Sequence, residues 1–181
     1  MTRRTLHLMR GLTLIELLIV IAIIAALAAI SVPTASLLRA NSHKASCMGN
    51  LRQIALGLEN YLQDHQETMP TLATARLDGS DSTPVLETVL LEYINNPDSF
   101  HCPADRNEFA RSGSSYLWNT LQNGRLRSQL QFLGVRAEPQ LVPLVTDKES
   151  WHGEKDGVMI LYGDFTVSNR LRFIAPAPPA P

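Results

Sequence analysis

Few residues of this chain have a type and spacing that could support chemistry, and the two cysteines come first. His43 lies about one helical turn before Cys47, and His101 adjoins Cys102. Thiolate and imidazole groups are ligands that Zn²⁺ prefers, so these side chains form a candidate metal site. The alternative is a disulfide between Cys47 and Cys102, which is common in exported proteins. Because the paired spacing of a zinc ribbon is missing, we predict no metal site and keep the disulfide as the candidate pairing.

Other reactive side chains are present without the spacing that their chemistry needs. Aspartates supply the oxygen ligands that Ca²⁺ prefers, but none has EF-hand spacing. These aspartates are Asp78, Asp81, Asp147 and Asp156. The sequence has no Gly-x-Ser-x-Gly elbow, Walker loop, His-Glu-x-x-His motif or dinucleotide fingerprint. We therefore predict a protein that is not an enzyme and has no cofactor, with calcium as the remaining candidate ion.

The composition limits the class of protein. The chain has 181 residues, of which 45% are hydrophobic and 18% charged, and its net charge is -1. This length allows one modest domain with an appendage. A nearly neutral chain gives no indication of polyanion binding, so we predict no nucleic-acid partner.

An apolar segment near the N-terminus is the first element to explain. Every residue from 17 to 30 is apolar. A helix over residues 12–32 would span about 31 Å, close to the hydrocarbon thickness of a bilayer, and predicts one transmembrane helix. Basic residues before a span stay in the cytoplasm, which places the N-terminus there. These residues are Arg3, Arg4 and Arg10. A signal peptide is the alternative, although its apolar core is usually shorter.

One carboxylate, Glu16, lies in this segment near its start. A charge at the bilayer centre costs about 2.5–3.5 kcal/mol on insertion scales, so some interaction should compensate it. Residues 11–18, Gly-Leu-Thr-Leu-Ile-Glu-Leu-Leu, resemble the processing motif of type IV prepilins and type II secretion pseudopilins. The resemblance implies that a prepilin peptidase cleaves after Gly11 and methylates the new amine on Leu12. The family usually has Phe there, so Leu12 is a departure that keeps a large apolar side chain.

The same resemblance implies a role for Glu16 and a set of partners. In these filaments the glutamate is thought to pair with the N-terminal ammonium of a neighbouring subunit. Such a pair would compensate two charges that are each unfavourable in hydrocarbon. The implied partners are other pilin or pseudopilin subunits and an inner-membrane assembly platform.

The helical pattern continues after the apolar segment. Apolar residues recur at steps of three, four or seven as far as Leu62, which is typical of one helix face. Pro33 predicts a kink or local melting. Gly49 and Gly57 each weaken a helix by about 1 kcal/mol relative to alanine, so we expect both to allow close packing.

The remaining pattern predicts a short helix and an antiparallel sheet. Thr83 as the cap and Pro84 at the first helical position predict a helix that ends at 95–97. Four apolar runs predict strands, and Gly163-Asp164 predicts a two-residue turn between the last two. The strand candidates are Ser115–Thr120, Leu141–Thr146, Val158–Tyr162 and Phe165–Asn169.

A second resemblance rests on three segments, Cys47–Ile54, Phe100–Asp105 and Leu161–Asp164. They resemble pilin-related proteins that are abundant in planctomycete and verrucomicrobial bacteria and have a terminal His…Asp-Gly signature. His152 and Asp164 match the signature, but Phe165 stands where glycine is expected.

These features predict an α+β, pilin-like fold in which a long N-terminal helix packs on a small antiparallel sheet. The predicted divisions are a cytoplasmic leader at 1–11, a transmembrane helix at 12–32, an amphipathic periplasmic helix at 33–66, an α+β head at 67–174 and a disordered Pro-rich tail at 175–181.

The predicted function is a structural subunit of a type II secretion or type IV pilus-like filament. It would sit in the bacterial inner membrane as a single-pass protein with a periplasmic head, and assemble into a periplasmic or surface filament. The alternative is a membrane-anchored periplasmic module that binds a glycan through Trp118 or Trp151 and uses the prepilin signal only for export. The sequence leaves open which machine the subunit serves.

Overall fold

The computed structural model describes residues 13–153 and 157–172, without the side chains of residues 30–34. The predicted leader, the junction between Gly11 and Leu12, and the predicted tail lie outside the described residues. The chain divides into two compact units, Met1–Arg39 and Ala40–Pro181. One helix, α1 (Leu14–Asp64), contributes to both units.

In the first unit, α1 exposes its apolar surface. Every described side chain from residue 13 to 29 and from 35 to 39 is exposed. Helix α1 is continuous across Pro33, so the predicted local melting is absent, and a bend there stays a prediction.

Among the residues that the structure describes, no helix meets both the length and the hydropathy that crossing a bilayer requires. The predicted span, 12–32, begins one residue before the described residues. The side chains at its end, from residue 30 to 32, are not described.

In the second unit, the later part of α1 packs against a small sheet and forms the core. Its buried residues recur at steps of three and four, which places them on one helix face. They are Cys47, Leu51, Ile54, Ala55, Leu58 and Leu62. The sheet and its flanking loops bury residues against this face, including Tyr116, Trp118, Leu144, Val145 and Leu161. This arrangement confirms the predicted α+β fold with a long helix and a small antiparallel sheet.

The main sheet has four antiparallel strands in the order β1-β4-β5-β6. Its strands are β1 (Tyr116–Trp118), β4 (Pro143–Asp147), β5 (Ile160–Tyr162) and β6 (Val167–Ser168). Each lies within, or within one residue of, a predicted strand. A separate hairpin joins β2 (Gln131–Phe132) to β3 (Val135–Arg136) and was not predicted. Its turn residues, Leu133 and Gly134, both have positive φ, and Leu-Gly is a weaker turn signal than Asn-Gly.

The predicted two-residue turn at Gly163-Asp164 is wrong. The amide of Tyr162 donates to the carbonyl of Thr166, and the amide of Phe165 donates to the carbonyl of Tyr162, each at 2.9 Å. The loop therefore has three residues, and Phe165 takes the left-handed conformation at φ 64°. This is the position at which the resembled signature has glycine, the residue that adopts this conformation most readily.

The predicted single helix after Thr83 is also wrong in detail. The segment forms two short helices, α2 (Leu86–Val89) and α3 (Leu91–Ile94), and Val85 is the N-cap. Thr83 does not cap a helix, because its amide and hydroxyl both donate to a carboxylate oxygen of Asp81. The predicted stop is confirmed, since Asn95 ends α3 in the left-handed conformation.

The two helical glycines of the second unit differ in their surroundings. A Cβ added at Gly57 would overlap Cγ1 of Ile94, whereas one added at Gly49 would have no neighbour within 4 Å. The expected close packing therefore applies to Gly57, and the expectation for Gly49 is wrong.

This contrast gives a matched pair of variants. We expect Gly49→Ala to raise the free energy of unfolding by up to about 1 kcal/mol, because alanine favours the helix and meets no neighbour. We expect Gly57→Ala to lower it by about 1–3 kcal/mol, because the overlap with Ile94 costs more than helix propensity returns. Urea unfolding of both variants measures the difference. Equal shifts of the same sign would contradict the assignment of Gly57 as a contact point.

Candidate functional site

The N-terminus of α1 places Glu16 in a reciprocal cap. The carboxylate Oε2 of Glu16 accepts from the amide of Thr13 at 2.9 Å and from its hydroxyl at 2.8 Å. In return, the amide of Glu16 donates to the hydroxyl of Thr13 at 3.3 Å. This is the capping box of a Thr-x-x-Glu sequence. Thr13 and Glu16 carry its signature in the sequence, but the cap was not predicted.

A second feature connects α1 to the head covalently. Cys47 on α1 and Cys102 form a disulfide whose Cα atoms are 4.9 Å apart, and both residues are fully buried. Cys102 follows a 3₁₀ turn at Pro97–Phe100. Asn50, on the next turn of α1, donates from Nδ2 to the carbonyl of His101 at 2.5 Å. The disulfide and this hydrogen bond therefore fix the same loop to the same helix.

One polar side chain, His152, lies against the disulfide, and a second, Asp147, lies against His152. Nε2 of His152 is 3.6 Å from Sγ of Cys102 and 3.5 Å from Oδ2 of Asp147. The side chains of His152 and Asp147 are almost completely buried. Burial raises the pKa of Asp147 to about 7, and the amide of Met159, which donates to Oδ2 at 2.7 Å, opposes this rise only in part.

Asp105 lies three residues after Cys102 and organises the following helix, α4 (Glu108–Ser112). Its carboxylate accepts from three amides at the start of α4, at 2.8 to 2.9 Å. The hydroxyl of Ser115 donates to it at 2.6 Å and accepts from the amide of Cys102 at 3.0 Å. Burial raises the pKa of Asp105, but these hydrogen bonds outweigh it and hold the pKa below its usual value.

The structure does not place the predicted histidines at the two sulfur atoms. Among the described residues, the histidine whose ring nitrogen clusters with both sulfurs is His152, with all three ligand atoms within 4.8 Å of one another. His101 instead stacks on Phe109, with ring centroids 4.4 Å apart. His43 lines a nearby cavity. Sequence reasoning missed His152 as a neighbour of the cysteines, because it lies 50 residues after Cys102 and only the fold brings it there.

The predicted calcium ligands do not converge within the described residues. Asp78 accepts from the amide and hydroxyl of Ser80, and Asp81 does the same with Thr83. Asp147 faces His152 in the interior. Asp156 lies outside the described residues.

The two residues that match the resembled His…Asp-Gly signature have different surroundings. His152 lies against the disulfide, whereas Asp164 accepts from the amide and hydroxyl of Thr166 and lies 3.4 Å from Nη1 of Arg172. Asp164 therefore stabilises its own hairpin turn.

The two tryptophans of the glycan-binding alternative also differ. Trp118 is buried and donates from Nε1 to Oδ1 of Asn123 at 2.7 Å, so it belongs to the core. Trp151 lines a cavity of about 240 Å³ together with His43, Lys44 and Arg106.

Comparison with known proteins assigns the N-terminal segment alone. Residues 7–32 match the family model of the prokaryotic N-terminal methylation motif. This match confirms the predicted prepilin-like signal and supports a pilin-like or pseudopilin-like processed protein. No curated protein and no solved structure matches the chain. The resemblance to planctomycete and verrucomicrobial proteins therefore stays a prediction.

The disulfide can be tested in protein isolated from membranes and unfolded before alkylation. We expect Cys47 and Cys102 to react with the alkylating reagent only after reduction. Replacing both by alanine should lower the free energy of unfolding by about 4 kcal/mol, the chain-entropy value for a loop of this length, with the loss of buried sulfur contacts in addition. Equal alkylation with and without reductant would contradict the pairing.

Proposed function

We propose that this chain is a structural subunit, a pseudopilin or a pilin, of a type II secretion or type IV pilus-like filament. The observation that carries the proposal is the methylation motif at residues 7–32. A prepilin peptidase would cleave after Gly11 and methylate the amine of Leu12. The head contributes through its architecture, because a buried face of the later part of α1 packs against a small antiparallel sheet.

The apolar surface of α1 supports this proposal physically. The large apolar side chains between residues 14 and 27 are 48% to 81% exposed. A helix that is apolar on all sides is unstable in water and is typical of burial in lipid or in a protein core. A filament subunit meets both environments, one after the other. Its helix first lies in the lipid of the inner membrane and then packs against the helices of neighbouring subunits.

In the proposed topology the N-terminus faces the cytoplasm, α1 crosses the inner membrane once, and the head lies in the periplasm. This orientation follows from the basic residues that precede the apolar segment. The partners are then the prepilin peptidase, other pilin or pseudopilin subunits and an inner-membrane assembly platform.

Glu16 has two candidate roles in this scheme. Within one chain it caps α1 through Thr13. Between chains its carboxylate would pair with the N-terminal ammonium of a neighbouring subunit, which favours assembly in one axial register. The roles differ in what they need, because a cap needs a hydrogen-bond acceptor and an ion pair needs a negative charge.

A second candidate function is favoured by Trp151 and its cavity. An aromatic ring beside His43, Lys44 and Arg106 could hold a saccharide that carries negative charge. The cavity, at about 240 Å³, is below the range of about 300–1,000 Å³ that is usual for ligand sites. The filament role is therefore the better supported one. Purified filaments that contain the chain favour it, and a membrane monomer that binds a ligand saturably favours the alternative.

The mature N-terminus provides the first test. We expect intact-mass spectrometry of the protein from cells with an active prepilin peptidase to give a chain that begins at Leu12 and carries one methyl group. A chain that begins near Ser31, where a signal peptidase would cut, would overturn the processing step.

The role of Glu16 provides the second test. We expect Glu16→Ala and Glu16→Gln both to be cleaved normally and both to enter filaments poorly, because each removes the charge that would pair with the neighbouring ammonium. Glu16→Gln is the sharper variant, since glutamine retains the capping acceptor. The measurement is the fraction of cleaved chain recovered in sheared or cross-linked filaments.

A matched control separates the cap from the charge. Thr13→Val removes the hydroxyl of the capping box and leaves Glu16 charged, so it should assemble nearly as well as the parent chain. If Thr13→Val fails to assemble and Glu16→Gln assembles normally, then the cap is the function of Glu16 and the intersubunit ion pair is wrong.

A further inference from the structure

The Cys47–Cys102 disulfide belongs to a buried group of potential metal ligands. We name this group the clasp cluster. It consists of Cys47, Cys102 and His152, whose ligand atoms all lie within 4.8 Å of one another, and Asp147 lies against His152. Both cysteines are fully buried, and the side chains of His152 and Asp147 are 3% and 0% exposed. The four residues come from α1, the loop after Pro97–Phe100, strand β4 and the loop that follows it.

The three ligand atoms of the clasp cluster lie close enough together to share one tetrahedral ion. With metal–sulfur bonds of about 2.3 Å and metal–nitrogen or metal–oxygen bonds of about 2.0–2.2 Å, ligand atoms in a tetrahedron lie roughly 3.3–3.8 Å apart. Nε2 of His152 is 3.6 Å from Sγ of Cys102 and 3.5 Å from Oδ2 of Asp147. The Cα atoms of Cys47 and Cys102 are 4.9 Å apart, so both sulfurs can face the same point.

The carboxylate of Asp147 is fixed in orientation and has one oxygen without a hydrogen-bond partner among the described residues. Oδ2 of Asp147 accepts from the amide of Met159 at 2.7 Å, which fixes the orientation of the group. Oδ1 is buried and has no hydrogen-bond partner among the described residues. A buried acceptor without a partner is costly, and positive charge near this carboxylate, which lies beside His152, would lower that cost.

We propose that the clasp cluster, once its disulfide is reduced, binds one divalent metal ion of the Zn²⁺ type through the two cysteine thiolates and His152, with water as the fourth ligand and the Asp147 carboxylate beside His152. A dithiol reductant supplies two electrons and two protons, so it becomes a disulfide while Cys47 and Cys102 become thiols. Metal binding then releases the two thiol protons to solvent. The charge of the ion replaces them, and His152 binds through Nε2 as the neutral imidazole.

The consequence is that α1 and the head can be connected in two chemically different ways through the same sulfur atoms. In the oxidised protein the connection is the disulfide, and in the reduced protein it is the metal. His152 also lines the cavity of about 240 Å³, so the cluster adjoins this cavity. The inference concerns the head alone and does not depend on the filament proposal.

The test uses the full chain in detergent, first as isolated and then reduced with a phosphine that is removed under anaerobic conditions. Co²⁺ is the probe, because a thiolate site gives charge-transfer absorption in the near ultraviolet and intense d–d bands when it is tetrahedral. We expect these bands to saturate at one Co²⁺ per chain in the reduced protein, to be absent in the oxidised protein, and to be bleached by Zn²⁺.

Matched variants identify the ligands. We expect His152→Ala to weaken Co²⁺ binding by at least about 100-fold, since even outer-sphere substitutions cost about 10–100-fold. We expect Asp147→Asn to weaken binding less, because Asp147 lies beside His152 and is not itself a ligand. His43→Ala is the control, because His43 lines the cavity without belonging to the cluster, and it should bind as the parent does.

If reduction lowers the stability of the head, thermal unfolding still tests metal binding. We expect Zn²⁺ to raise the melting temperature of the reduced parent chain and of His43→Ala, but not of His152→Ala. The proposal is overturned if the reduced chain gives no thiolate-to-cobalt band, if His152→Ala binds as tightly as the parent, or if replacing both cysteines by serine leaves Co²⁺ binding unchanged.

Discussion

The head depends on the burial of one face of α1. The residues from Cys47 to Leu62 that face inward supply the helical side of the core, and the strands supply the other side. Burying a large apolar side chain contributes about 1.5–3 kcal/mol, so this face is the main stabilising surface of a head whose strands have only two to five residues. Short strands alone would be marginal, because isolated hairpins are hardly stable in water. The position of each loop, including the one that carries Cys102, therefore follows from its place along the helix.

This dependence explains which features could be predicted from the sequence. The helix and the four strands of the main sheet were predicted, because burial imposes periods of about 3.6 and 2 on the apolar residues. The local details that failed were decided by single side-chain contacts. Asp81 takes the amide and hydroxyl of Thr83, which otherwise looks like a helix cap. Gly49 and Gly57 look alike in the sequence. Of the two, only Gly57 packs so closely against Ile94 that an added Cβ would overlap it.

In the candidate site, too, some features could be predicted from the sequence and others could not. The prepilin-like signal is a continuous segment, so a short motif was sufficient to find it. The surroundings of the disulfide are assembled from residues far apart in the chain, and neighbouring histidines in the sequence were misleading. His101 adjoins Cys102, yet its ring stacks on Phe109, because alternate side chains of an extended segment point in different directions. His152 reaches Cys102 only because β4 places the following loop beside it.

Phe165 adopts a conformation that costs an ordinary residue about 1 kcal/mol, and its ring has acquired a partner there. The guanidinium of Arg127 lies 4.3 Å from the ring centroid, and the amide of Arg127 donates at 2.8 Å to the carbonyl of Glu67, just after the end of α1. A cation over an aromatic ring contributes about 0.5–1 kcal/mol at exposed sites, which is close to the conformational cost. The two contributions nearly cancel, so the effect of a substitution at 165 depends on the residue at 127. The two positions are therefore expected to be epistatic, and glycine at 165 would release 127 to vary.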